Sequence, residues 1–182
     1  MIMSQSGGRG FGGRKSLSID SMEKLIDKAF SMKRCEAVLL NINSPGGSAV
    51  QSELIADYIG QKAKSSGVPI LSFVEDMAAS GGYWLATAAP TIYVTQSSIV
   101  GSIGVISQSF GFHEAISKLG IERRTMTAGE SKAFSDPFKP WEEKDKAIVR
   151  QILASLHDNF KVECLGGISK PFLVEKIKMP KD

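Results

Sequence analysis

The chain has 182 residues, long enough for one domain with its own core. Its apolar and charged fractions, 42% and 23%, are those of an ordinary soluble globular protein, and a scattered net charge of +3 excludes a nucleic-acid surface built on a basic patch. Cys35, Cys164, His113 and His157 are too isolated for a disulfide framework or a metal site, so buried thiols and no cofactor are expected. No apolar run approaches the roughly 20 residues that span a bilayer, and Met1 to Ser6 lacks the apolar core of a signal peptide. The chain as it stands is expected to be soluble, with its compartment unassigned.

Residues 1–17 read as a flexible arm, because Ser4 to Lys15 is rich in Gly, Ser and Arg and has little to bury. The arm is too short to argue for nucleic acid. A first helix follows, with Asp20 as its cap and Glu23 closing a capping box. Met22, Leu25, Ile26, Ala29 and Phe30 recur at helical spacing along it. Glu36 to Ile42 is an apolar run of strand length, expected to be buried on both faces in a parallel sheet.

Asn43-Ser-Pro-Gly-Gly-Ser48 breaks that strand, and a helix from about Ala49 to Lys64 follows, with Val50, Leu54, Ile55 and Ile59 as its apolar positions. The pattern then repeats. A strand over Pro69–Glu75 leads to Asp76-Met-Ala-Ala-Ser-Gly-Gly-Tyr83 and a helical run from Gly82 to Ala88. A third strand, Thr91 to Thr95, leads to Ser98–Val105. An amphipathic helix near Phe112 to Leu119 precedes a short strand over Glu122–Thr127. After a Pro-containing loop, Ala128 to Pro140, a long helix is expected from Trp141 to Cys164, with an acidic start and Ile148, Ile152, Leu156 and Phe160 on one face. Strands alternating with helices imply an α/β fold with a mainly parallel sheet, whose active groups gather at the carboxyl ends of its strands. Both glycine turns lie at such ends.

Ser80 stands among the smallest residues at a strand-to-helix junction, the layout of an activated serine. The alternative is a turn with Ser80 as an ordinary helix N-cap. A serine hydroxyl needs a base, and neither histidine lies near a glycine turn. A lysine can serve if its pKa falls by about 3 units from about 10.4. Lys132 is the candidate, set among Ala133, Phe134, Pro137 and Phe138 rather than in a run of charges; the alternative is a surface loop lysine. Backbone N–H groups of Gly46, Gly47 and Gly81 can hold an oxyanion.

Four ordered motifs, N-S-P-G-G-S, D-M-A-A-S-G-G-Y-W-L-A, V-G-S-I-G-V and G-E-S-K-A-F-S-D-P-F-K-P, resemble those of the signal peptide peptidase A family, also called protease IV, with SohB-type peptidases as relatives. The resemblance covers about Ser18 to Val162, and a peptidase domain is placed at 18–164. It implies a Clp protease/crotonase-like spiral of ββα units. It implies Ser80 as nucleophile, Lys132 as general base, Gly47 with Gly46 as oxyanion donors, and Ser102 as a hydrogen-bond partner of the lysine amine. The plain alternative for Ser102 is a small residue in a tight turn. The resemblance further implies ring-like homo-oligomers that cleave signal peptides or other extended hydrophobic peptides. Met77, Trp84 and Phe134 are candidates for pocket walls.

The chain departs from the family at both ends. Members carry an N-terminal strand, often preceded by a membrane anchor, where this chain has the glycine-rich arm. Residues 165–182 form a divergent tail. A fragment, a splice form and a shortened relative all fit these ends, with membrane association left to a longer form. Two other readings stand beside the peptidase: an inactive assembly or peptide-binding scaffold, and a crotonase-type acyl-CoA enzyme, which would have no use for Ser80.

Overall fold

The computed structural model describes residues 17–129, 131–166 and 173–176. The arm at 1–16 and most of the tail lie outside the described residues. The chain divides into two compact units. Val105–Asp158 forms the second, and the segments on either side form the first. The region expected at 18–164 runs through both.

The first unit is built on a parallel sheet. Strands β1 (Val38–Ser44), β2 (Ile70–Ala79), β3 (Thr91–Val94) and β5 (Leu173–Lys176) pair in that order, and β4 (Ile99–Gly101) pairs with the far end of β2. All the pairings are parallel. Helices α1 (Ile19–Phe30), α2 (Ala49–Ser66) and α3 (Gly81–Ala86) precede or link these strands. Parallel strands need crossovers, and α2 and α3 supply them. Strand β5 falls in the tail that sequence reading left unassigned.

Helix α1 begins earlier than expected. Ser18 is its N-cap in extended backbone, and Ser21 closes the box: the Ser18 N–H donates to Ser21 Oγ at 3.0 Å, and Ser21 Oγ donates to the Ser18 carbonyl at 2.8 Å. Asp20 and Glu23 are not the cap. Asp20 lies inside the first turn, where a negative charge favours the helix dipole. Helix α2 starts where expected. Ser48 caps it, and Gly67 ends it at φ 71.

Ile26, Phe30, Ile42, Ile55, Ile59, Ile70, Val74, Ile92 and Val94 form the core on one face of the sheet. Strand β1 is not buried on both faces. Its residues alternate, and Leu39 is 61% exposed. Asn41 and Asn43 stand on that outer side and donate to Glu75 and Asp76 at 2.6 and 2.8 Å. The described helices of the first unit pack on the inner face, so the outer face tolerates amides. In α2, Ile55 and Ile59 are buried while Val50 and Leu54 are exposed.

Two contacts tie the junction after β2 to the core. The buried Ser72 hydroxyl donates to the Ala86 carbonyl at 2.8 Å. Trp84 of α3 stacks on Phe160 of α5 (Glu143–Gly166), with ring centroids 4.7 Å apart. Both rings are almost fully buried, at 1% and 2% exposure.

The second unit holds α4 (His113–Lys118) and the start of α5. The strand expected over Glu122–Thr127 is irregular backbone. No strand is found among this unit's described residues, so that segment has no ladder to join. None of the unit's described residues is buried.

Candidate active site

Parallel pairing of β1 with β2 carries both glycine turns to the same edge of the sheet, with Ser44 opposite Ala78. On the other side of β2, Ala79 is in register with Gly101. Ser80 therefore leaves the sheet between the ends of β1 and β4. Its N–H donates to the Gly101 carbonyl at 2.8 Å. Its carbonyl accepts from the Tyr83 and Trp84 N–H groups at 2.9 and 3.0 Å, which starts α3.

Ser80 adopts φ 51 and ψ −121. A residue with a Cβ in such backbone costs about 1–3 kcal/mol, and such strain persists only where the surroundings impose it. Two features impose it here: the β4 hydrogen bond to its N–H, and the close approach of the first glycine turn. A Cβ on Gly46 would lie 2.8 Å from Ser80 Cβ, 2.8 Å from the Ala79 carbonyl oxygen and 3.0 Å from the Gly81 nitrogen. A Cβ on Gly82 would lie 2.6 Å from the Ser44 carbonyl oxygen. The two turns interlock through glycines on both sides, and neither site has room for alanine.

Ser80 occupies the N-cap position of α3 but makes no side-chain cap hydrogen bond. The ordinary-cap reading therefore fails. The hydroxyl is left on a sharp strand-to-helix turn, half-buried, beside the buried backbone of Gly81. Such a turn holds a serine oxygen proud of the backbone.

Sequence reasoning missed Ser44. It is buried, its hydroxyl accepts from the Gly46 N–H at 3.2 Å, and its carbonyl faces Gly82. Ser44 thus sets the first turn and abuts the second. Its only signal was its place before Pro45-Gly46-Gly47.

The first unit brings together Gly46, Ser80 and Gly81, with the exposed Gly47 next in the turn. Ser102 follows Gly101, the carbonyl that accepts from Ser80, and has positive φ itself, at 57. Lys132 belongs to the second unit, where it is exposed in a run of turns. Both histidines also belong to the second unit. Trp84 packs inside the first unit. Its ring is a core element held against Phe160. Nor is Cys164 a competing nucleophile, because burial, and secondarily the charge of Glu163, push its thiol up to about 11.

The model of peptidase family S49 matches residues 62–164. The Na(+)/H(+) antiporter NhaA of Brucella melitensis is 46% identical over 147 residues, which cover 81% of this chain and 20% of that protein. Protease 4 of Haemophilus influenzae is 35% identical over 124 residues, 66% of this chain and 20% of the relative. The chloroplastic serine protease SPPA of Arabidopsis thaliana is 35% identical over 127 residues, again 66% of this chain and 18% of the relative. The chain thus spans about a fifth of the length of each of these three. The family match contains Ser80, Ser102 and Lys132, and its first residues lie in α2. The chain belongs to peptidase family S49, alongside relatives of the protease 4, SPPA and SohB kind, and has that family's mixed α/β fold of the Clp protease/crotonase type.

Proposed function

We propose that the chain carries the site of a serine endopeptidase that uses Ser80 as nucleophile and Lys132 as base to cleave extended, apolar peptides such as signal peptides. The backbone of Ser80 carries this reading: φ 51 and ψ −121 at a strand-to-helix turn, with Gly46 packed against it and the hydroxyl unused as a cap. A strained serine with no structural task for its oxygen is the signature of a nucleophile. Peptidase-named relatives in the same family support the chemistry.

In this mechanism the neutral Lys132 amine takes the Ser80 hydroxyl proton as Oγ bonds to the substrate carbonyl carbon. Negative charge develops on the carbonyl oxygen, and the N–H groups of Gly47 and Gly81 are its donors. The tetrahedral adduct collapses, the C–N bond breaks, and the Lys132 ammonium returns its proton to the leaving amine. Water then attacks the acyl-enzyme and gives a proton to Lys132. The new adduct expels Ser80 Oγ, which recovers that proton, and releases the carboxylate product. Ser102 orients the amine through a hydrogen bond.

A homo-oligomer is part of the proposal. The second unit leaves Ile106, Phe110, Leu119, Ile121 and Met126 exposed, apolar side chains that an assembly would cover. The transport activity in the antiporter's name is not carried over, because the match covers only 20% of that protein. The test is cleavage of an apolar fluorogenic peptide by the purified assembly. Ser80→Ala and Lys132→Ala should each abolish it, and full turnover by either variant would sink the dyad.

A further inference from the structure

Lys132 sits in a run of turns whose own backbone bonds are long. The Lys132 N–H reaches the Gly129 carbonyl and the Phe134 N–H reaches the Ser131 carbonyl at 3.4 Å, and the Asp136 N–H reaches Ala133 at 3.3 Å. These lie beyond the usual 2.7–3.2 Å of N–H···O bonds and do not hold a loop by themselves. The firm contacts come four residues later. Asp136 Oδ1 accepts from the Phe138 N–H at 3.0 Å and also from the Arg123 guanidinium. The Asp136 side chain is only 4% exposed, although most of the surrounding loop is open to solvent.

Further contacts close the same knot. The Arg123 guanidinium carbon lies 4.9 Å from the Phe138 ring centre, so cation and ring hold each other while both serve Asp136. Phe138 packs on Phe112 with centroids 5.8 Å apart, and the Phe112 N–H donates to the Pro137 carbonyl at 2.6 Å. Three segments of the second unit, around residues 112, 123 and 136–138, therefore meet around Asp136 and Phe138. The Phe138 N–H, followed by Arg123, holds that carboxyl below the usual carboxylate range, so it stays ionised at neutral pH.

We propose that Asp136, clamped by Arg123, is a positioning residue for Lys132: it anchors the loop that presents the base and does not touch the reacting atoms itself. The proposal rests on the reading of Lys132 as base. An ionised carboxylate whose Oδ1 takes two donors ties the loop that carries the lysine, four residues away in the chain, to the segment around residue 123. Reaction geometry is steep, since a misplacement of about 1 Å costs up to about 100-fold in rate.

The test uses the full chain and two readouts. Peptide turnover gives kcat and KM, and amide hydrogen exchange reports residues 131–138. Asp136→Ala and Arg123→Ala should each lower kcat by about 10- to 100-fold and leave KM within about twofold, the pattern of lost transition-state alignment. The double variant should fall no further than the worse single, because both act through one contact. The Lys132 and Phe134 amides should exchange about tenfold faster, as the local opening equilibrium shifts. Asp136→Asn, which keeps the volume, supplies the same readouts if the alanine variant does not fold. Unchanged exchange, unchanged kcat, or a rise confined to KM would each overturn the positioning role. Lys132→Ala is run in parallel. If it cleaves normally, the dyad itself fails, while the exchange data still decide whether Asp136 anchors the loop.

Discussion

Gly46→Ala probes the interlocking of the two glycine turns. Gly46 has φ 104, and its added methyl would meet the Ala79 carbonyl oxygen, Ser80 Cβ and the Gly81 nitrogen at 2.8–3.0 Å. None of these is the far end of a flexible side chain, so relief requires movement of the backbone that holds Ser80. The left-handed conformation costs an L-residue about 1–2 kcal/mol, and overpacking adds about 1–3 kcal/mol. The expected loss is about 2–5 kcal/mol, a large part of the roughly 5–15 kcal/mol that holds a typical domain. Urea unfolding reads it, followed by Trp84 fluorescence in a Trp141→Phe background, which isolates the buried indole from the exposed one. Gly60→Ala is the control. Gly60 lies inside α2 with nothing within 4 Å of its added Cβ, and alanine there should stabilise by about 0.5–1 kcal/mol. If Gly46→Ala unfolds at the wild-type urea concentration, the claim that the first turn imposes the strained Ser80 conformation is wrong.

Other consequences concern the core and the thiols. Phe160→Ala removes a buried ring stacked on Trp84 and should cost about 3–5 kcal/mol, with a red shift of Trp84 emission as water reaches the indole. Wild-type stability and an unshifted spectrum would mean that the stack does not hold α5 to α3. Cys164 should resist alkylation at pH 8 while the half-buried Cys35 reacts, as read by mass spectrometry of the intact chain. The Cys164 pKa is raised by folding, so the native state holds the proton more tightly than the unfolded chain. That contribution is complete below the ordinary thiol value of 9.0 and is lost as pH rises towards about 11. Urea midpoints should decline across that interval, and Cys164→Ala should flatten the decline.

Local features of the fold were readable in the sequence wherever chemistry and chain neighbours coincide. Two apolar runs that each end in Gly-Gly beside Ser announce a strand, a turn and a helix, and the structure has β1 with α2 and β2 with α3 at those places. Ser48 and Gly67 bracket α2 because cap and stop residues act within a few positions of themselves. The strained φ of Ser80 was not readable. It depends on Gly101 and Gly46, which reach it from two other strand ends. Non-local pairing also hid β5, since nothing local in Leu173–Lys176 names β3 as its partner. The same reason explains Trp84. An aromatic one turn into a helix beside a candidate nucleophile suggests a pocket wall, while the stack on Phe160, far along the chain, places it in the core. The error over Glu122–Thr127 is the converse: strand-like residues form no strand without a ladder beside them. In α1, Asp20 and Glu23 fit a capping box as well as Ser18 and Ser21 do. The choice is made by α2, whose Gln51 side-chain oxygen accepts from the Ile19 N–H at 2.9 Å.

The central claim is that Ser80 is a nucleophile made reactive by Lys132. Its most direct measurement is labelling by a serine-directed phosphonate, located by peptide mapping and timed in wild type and in Lys132→Ala. The account predicts a single adduct on Ser80, formed at least about 100-fold more slowly without the lysine, as expected for loss of a general base. An adduct on another residue, or equal rates in the two proteins, would contradict it.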